Sequence, residues 1–199
     1  MRAGLWSREP LVGEALEGKT LGIVGFGAVG SRVARIASAF GMRVVAAAGR
    51  GGSTEPRPVP VLPLREMMAM ADVVSLHARL MPITHGMIDA SIIATMKPGA
   101  LLVNTARGEL IDEAALISAL QSGHLSGAAL DTYAVEPLAA DSPLRRLPNV
   151  LLSPHVAGQT TAAVVAVGRA AAQAILDELA GKRPAFVVNP EAYAARDSP

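Results

Sequence analysis

Along this chain, short apolar runs alternate with stretches of helical period. Leu21-Gly22-Ile23-Val24 is a continuous apolar run of strand length. A glycine turn follows, and Val29 to Phe40 then carries Val33, Ile36 and Ala37 at helical spacing before Gly41 closes it. Arg43 to Ala47 reads as a second strand. Gly49 to Pro63, rich in Gly, Pro, Ser and Thr, reads as a loop. The same alternation continues with a helix over Leu64–Met70, a strand over Asp72–Leu76 and a helix over Ala90–Met96 that Lys97-Pro98-Gly99 stops. Strands over Ala100–Asn104, Gly127–Asp131 and Val150–Ser153 enclose an amphipathic helix over Asp112–Ser122, and an alanine-rich helix spans Thr160–Ala180. Strands alternating with helices predict an α/β fold: a mostly parallel, doubly wound sheet with helices on both faces.

Composition narrows the function classes. With 18 Lys and Arg against 17 Asp and Glu, the net charge of +1 supplies no basic field for nucleic acid or anionic lipid. The hydrophobic share of 51% is ample for a core, which argues against disorder. The absence of cysteine excludes disulfides, thiol catalysis and cysteine-ligated metals, and no metal site is expected. The longest apolar stretch, Ala162 to Leu176, is interrupted by Arg169 and Gln173, so no membrane span is expected. The opening residues lack a signal-peptide core, and a cytoplasmic protein is the expectation.

Gly25-Phe26-Gly27-Ala28-Val29-Gly30 fits G-x-G-x-x-G, a pattern that 19 glycines produce occasionally by chance. Here it follows a strand and opens a helix, the Rossmann-like setting in which backbone N–H groups approach a pyrophosphate. An acidic residue for the adenosine ribose is expected about 20 residues on. That stretch reads Ala46-Ala47-Ala48-Gly49-Arg50-Gly51-Gly52-Ser53-Thr54, with no carboxylate before Glu55. Arg50, with Ser53 and Thr54 as hydroxyl donors, suits the 2′-phosphate of NADP, so NADP is expected to be preferred over NAD. Arg50 also reads as a solvated loop residue.

Seven ordered motifs resemble the D-isomer-specific 2-hydroxyacid dehydrogenases. They are Leu21 to Gly30, Ala71 to His77, Met96 to Ala100, Val103 to Gly108, Ala129-Leu130-Asp131, Glu136-Pro137-Leu138 and Ser153-Pro154-His155-Val156-Ala157-Gly158. The Ala48-Gly49-Arg50 stretch resembles the NADPH-using glyoxylate and hydroxypyruvate reductases of that family. The resemblance implies that Arg107 pairs with a substrate carboxylate and polarises the adjacent keto oxygen. It implies that His155 is the general acid for reduction, and that Glu136 orients the imidazole and favours its charged form. It further implies cofactor contacts from Gly25, Gly27, Ala28, Val29, Gly30, His77, Thr105, Ala106, Asp131 and Gly158. His77 also reads as a satisfied buried histidine at a strand end, and Met67-Met68-Ala69-Met70 as flexible core packing.

Family members have two lobes, and the resemblance places most of the substrate lobe outside this sequence. Residues 1–15 are expected to be the remnant of a crossover segment, 16–158 the dinucleotide-binding domain, and 159–199 the returning crossover helix and tail. Val187-Val188-Asn189-Pro190 resembles the family's terminal strand motif. The expected partners are a small 2-oxo or 2-hydroxy acid, a second copy in a homodimer, and a substrate lobe supplied elsewhere. Three functions stay open: a dehydrogenase, a nucleotide-binding module without turnover, and a structural dimerisation module.

Overall fold

The structure is a computed structural model and describes residues 13–47 and 58–194. It divides into two compact units, one ending at His155 and the other beginning at Val156.

The first unit is built on a six-stranded sheet. Its strands are β1 (Thr20–Val24), β2 (Arg43–Ala47), β3 (Val73–Leu76), β4 (Ala100–Asn104), β5 (Leu125–Leu130) and β6 (Val150–Leu152). Every pairing is parallel, in the order β2-β1-β3-β4-β5-β6. Helices α1 (Ala28–Ala39), α2 (Leu64–Met70), α3 (Ala90–Ile93) and α4 (Glu113–Gln121) occupy the connections, with tight 3-10 turns at Gly108–Leu110 and Pro143–Arg146.

Side-chain alternation divides β1 and β2 between two cores. Leu21, Ile23, Val44 and Ala46 pack with Ala34 and Ala37 of α1. Val24, Val45 and Ala47 join Met67 and Met68 of α2, Leu102 of β4 and Leu116 and Leu120 of α4. Met67 and Met68 are fully buried, as core packing requires, while Met70 is exposed. Coverage differs farther along the sheet: Leu101 of β4 and Leu151 of β6 stay exposed.

The elements follow the expected order, with instructive differences at their ends. α3 stops at Ile93 because its last turn tightens: Thr95 N–H donates to Ile92 O at 3.0 Å and Met96 N–H to Ile93 O at 3.0 Å. β5 starts two residues before the expected Gly127, at Leu125.

The second unit consists of α5 (Thr161–Leu179) and a short α6 (Glu191–Ala194). Thr160 caps α5 by accepting from Ala163 N–H at 3.0 Å. No residue of α5 is buried. The strand expected over Val187–Pro190 is not formed. A strand needs a neighbour for its backbone groups, and Val188 is instead fully exposed ahead of α6. Among the described residues, no helix is long and apolar enough to cross a membrane.

At the N-terminal end of the sheet, Asp72 ties three strands together. Its Oδ2 accepts from Thr20 N–H at 2.7 Å, and its Oδ1 accepts from Lys97 Nζ at 2.7 Å. Burial alone would raise the Asp72 pKa, but the Lys97 hydrogen bond, the Thr20 amide and the Lys97 and Lys19 charges outweigh it, and the pKa lies below its ordinary 3.8. A depressed carboxylate stabilises the fold above its unfolded pKa, and that contribution is lost as pH falls through the folded value. Asp72→Ala leaves the Thr20 amide, which is buried, without its partner, and should cost about 1–3 kcal/mol at pH 7. Urea unfolding of both proteins checks this, and the difference should shrink towards pH 3.

Candidate active site

The strand order reverses at β1. The chain leaves it for β2 on one side and returns to β3 on the other, which opens a crevice at the C-terminal ends of these strands. The turn Gly25–Gly30 sits there between β1 and α1. Gly25 has φ +93°, and a Cβ at that position would lie 2.6 Å from Ala78 N and 2.7 Å from His77 C. Only a residue without a side chain lets β1's exit lie against the backbone leaving β3. At Gly30 a Cβ would lie 2.3 Å from Gly25 O, so α1 packs directly on its own turn. At Gly27 a Cβ would meet nothing within 4 Å.

The start of α1 is prepared for an anion. The side chains of Asp89, Asp112 and Thr160 cap α3, α4 and α5, whereas Gly27 offers α1 no side-chain cap. The first turn of α1 holds no acidic residue. The first amides of α1, those of Ala28 and Val29 among them, therefore have neither an intrahelical acceptor nor a side-chain cap, at the positive end of the helix. These features fit the pyrophosphate of a dinucleotide. Val29, His77, Thr105, Ala106 and Arg107 line one open cleft of about 560 Å³.

His77 is half-buried, its Nε2 lies 2.9 Å from Ser75 Oγ, and burial lowers its pKa. It is thus held towards its neutral form, hydrogen-bonded within its own strand end and lining the cleft. Arg50, Ser53 and Thr54 lie outside the described residues. Gly158 belongs to the second unit, where its carbonyl accepts from Thr160 N–H at 3.1 Å.

The turn after β4 is set by Asn104, which is fully buried at the strand end. Its Nδ2 donates to Arg107 O at 2.8 Å and its Oδ1 accepts from Ala106 N–H at 3.0 Å, so one side chain brackets the turn that presents Arg107. Beyond it, a Cβ on Gly108 would lie 2.0 Å from Tyr133 C, which fixes how closely the turns after β4 and β5 approach.

The turns after β5 and β6 bring Glu136 to His155. Glu136 Oε2 accepts from His155 Nδ1–H at 2.8 Å, and its Oε1 accepts from Tyr133 N–H at 3.0 Å. With Nδ1 committed, Nε2 is the ring nitrogen left to exchange a proton with a ligand. The His155 hydrogen bond, the Tyr133 amide and the Arg107 charge all lower the Glu136 pKa, keeping it a carboxylate beside the imidazole. His155 itself takes φ +53°, a conformation unusual for a non-glycine residue, and its N–H is held by Asp131 O at 2.8 Å. Asp131 is buried and accepts from Ser153 Oγ at 2.5 Å, linking the ends of β5 and β6. The buried Tyr133 hydroxyl lies 2.9 Å from Ser153 O and 3.1 Å from Leu130 O, bracing the same two ends. Glu136, His155, Tyr133 and Leu152 line an open cleft of about 530 Å³.

Asn104, Gly108 and Tyr133 were not among the expected site residues. They hold Arg107, Glu136 and His155 through backbone groups, which leaves little trace in a single sequence. The clearest available signal was a buried amide ending an apolar strand just before Thr105-Ala106-Arg107. Among the described residues, no cluster of His, Asp and Glu could hold a metal ion.

The family model for the D-isomer specific 2-hydroxyacid dehydrogenase NAD binding domain matches residues 1–157. The (S)-sulfolactate dehydrogenase of Chromohalobacter salexigens is 44% identical over 164 residues, which is 79% of this chain and 52% of that protein. The solved TT0316 protein of Thermus thermophilus superposes with a TM-score of 0.87 at 44% identity, covering 94% of this chain and 60% of that one. An acyclic imino acid reductase, Bsp5, solved with NADPH and D-Arg, superposes with a TM-score of 0.85 at 31% identity, over 94% of this chain and 60% of its own. The chain spans about half the length of the sulfolactate relative and a smaller share of several phosphoglycerate dehydrogenases.

Two glycine substitutions separate folding from binding. Gly25→Ala forces a side chain into the His77–Ala78 backbone at positive φ and should cost about 2 kcal/mol or more, lowering Tm by several degrees. Gly27→Ala enters open space and should leave Tm nearly unchanged while weakening dinucleotide binding. Thermal unfolding beside a nicotinamide-fluorescence titration measures both.

Proposed function

The chain belongs to the D-isomer specific 2-hydroxyacid dehydrogenase family as its NAD-binding domain, and from that membership we propose that it serves hydride transfer between a nicotinamide dinucleotide and a small 2-oxo acid or D-2-hydroxy acid. The observation that carries this reading is the His155–Glu136 hydrogen bond with the Arg107 charge beside it, at the ends of β4, β5 and β6.

A bound reduced nicotinamide would supply the hydride that the 2-oxo carbon accepts. Arg107 pairs with the substrate carboxylate and draws electron density from the keto oxygen. His155 gives that oxygen the proton on Nε2, and Glu136 compensates the imidazolium through Nδ1–H; in the oxidative direction the proton returns. The Gly25–Gly30 turn, His77, Thr105, Ala106, Asp131 and Gly158 are assigned to the dinucleotide. NADP is the preferred form on the strength of Arg50, Ser53 and Thr54 and the absence of a ribose-binding carboxylate before Glu55.

A second reading, dinucleotide binding without turnover, is favoured by exposure: the His155 and Glu136 side chains are 48% and 38% accessible. Proton transfer of this kind gains from a lobe that closes over the substrate and excludes water. A homodimer is part of the proposal, on the strength of the family resemblance alone.

NADPH oxidation with glyoxylate or hydroxypyruvate separates the readings: saturable turnover is expected of the dehydrogenase, binding alone of the module. His155→Ala should lower turnover by about 10²–10⁴ while the Kd for NADPH changes little. Tighter binding of NADH than NADPH would reject the proposed cofactor preference.

A further inference from the structure

We infer that Arg79 is a phosphate-binding residue of the dinucleotide cleft, its guanidinium pairing with the pyrophosphate held at the glycine turn; this rests on the dinucleotide-binding reading above. Position is the first support. After β3 ends, His77 N–H donates to Val24 O at 2.7 Å, so the chain stays beside β1 as it leaves the sheet. The next residue, Ala78, has its N 2.6 Å from where a Gly25 Cβ would stand. Arg79 follows immediately, and it lines the same cleft as Val29 of the glycine turn and Arg107.

Its backbone is pinned. Thr84 Oγ1 lies 2.8 Å from Arg79 O and 3.1 Å from Met81 O, and it accepts from Met81 N–H at 2.8 Å. The segment from Arg79 to Thr84 is therefore a closed turn that carries the side chain at a fixed root, reducing the ordering needed on binding.

The Arg79 charge is also uncommitted. Ion pairs among the described residues include Lys19–Glu14, Lys97–Asp72 and His155–Glu136, and Arg79 is in none of these. Arg65 and Arg145 donate to backbone carbonyls, and Arg107 donates to Ala106 O at 2.6 Å. No such bond holds the Arg79 guanidinium among the described residues. It is exposed and lines, with Arg107, the cleft onto which the glycine turn and the head of α1 open. A pyrophosphate carries two negative charges, and a planar guanidinium matches two of its oxygens.

The test is a titration of the full chain with NADH, NADPH and ADP-ribose, read by binding and not by turnover. Arg79→Gln should weaken all three by roughly tenfold at low salt. The gap should narrow as ionic strength rises, and the NADPH-to-NADH preference should stay unchanged. Arg79→Lys, which keeps a point charge without the fork, should fall between. Unchanged affinity for all three overturns the inference, as does a loss confined to NADPH, which would place Arg79 on the 2′-phosphate. Failure of the unsubstituted chain to bind any of the three would instead overturn the dinucleotide reading beneath it.

Discussion

The approach of two backbones at Gly25 is the contact on which the crevice depends. β1 and β3 are neighbours in a parallel ladder, with Val24 beside Leu76, so the chains leaving them emerge side by side at one end of the sheet. One must turn up into α1 while the other runs on through His77 and Ala78. A side chain at the turn would push these segments apart, widening the strands' exits and tilting α1 away from β1. With none, the amides at the head of α1, the edge of His77 and the turn after β4 share a single cleft.

A second constraint acts on the remaining candidate residues. Arg107, Glu136 and His155 come from turns after three different strands, and no two are neighbours in sequence. What aligns them is a set of backbone contacts: Asn104 bracketing the Arg107 turn, Tyr133 packed over Gly108, and Asp131 O holding the N–H of His155. The strained φ of His155 is tolerated because this surrounding set over-determines it. Rigidity here is useful in a physical sense. Glu136 can orient the imidazole only if the 2.8 Å hydrogen bond persists, and a turn free to swing would exchange it for water.

Most of the fold was legible in the residues because its signals are local. Each strand of the buried sheet is a short apolar run, and the glycines and capping residues that punctuate the runs mark the ends to within a few positions. The order β2-β1-β3-β4-β5-β6 is not a local property and does not follow from any one run. The Val187–Pro190 stretch failed for the opposite reason: its residues suit a strand, but strand formation depends on a neighbour that the segment does not find here. In the candidate site, Arg107, Glu136 and His155 are singled out only through resemblance, since an arginine or a histidine after a strand has many ordinary explanations. Asn104 and Tyr133 act through main-chain partners distant in sequence, and Arg79 occupies a loop whose meaning appears only once Gly25 is seen lying against Ala78.

A near-neutral net charge supplies no basic field over the whole molecule, but it does not describe how charge is placed locally. Elsewhere in the first unit Lys97 is paired with Asp72 and Lys19 with Glu14 at short range. At the crevice α1 begins without an acid or a side-chain cap, and Arg79 and Arg107 line the same cleft. Salt screens the field of a surface charge within about 8–10 Å, so an approaching anion responds to this local set and not to the sum over 199 residues. The same locality limits what the exposed pair His155–Glu136 can do in open solvent. Its attraction, and that of Arg107 for a carboxylate, are weakened by high dielectric as long as water reaches them. A lobe closing over the cleft would do more than complete a surface: by removing water it would strengthen interactions whose donors and acceptors this unit already holds in place.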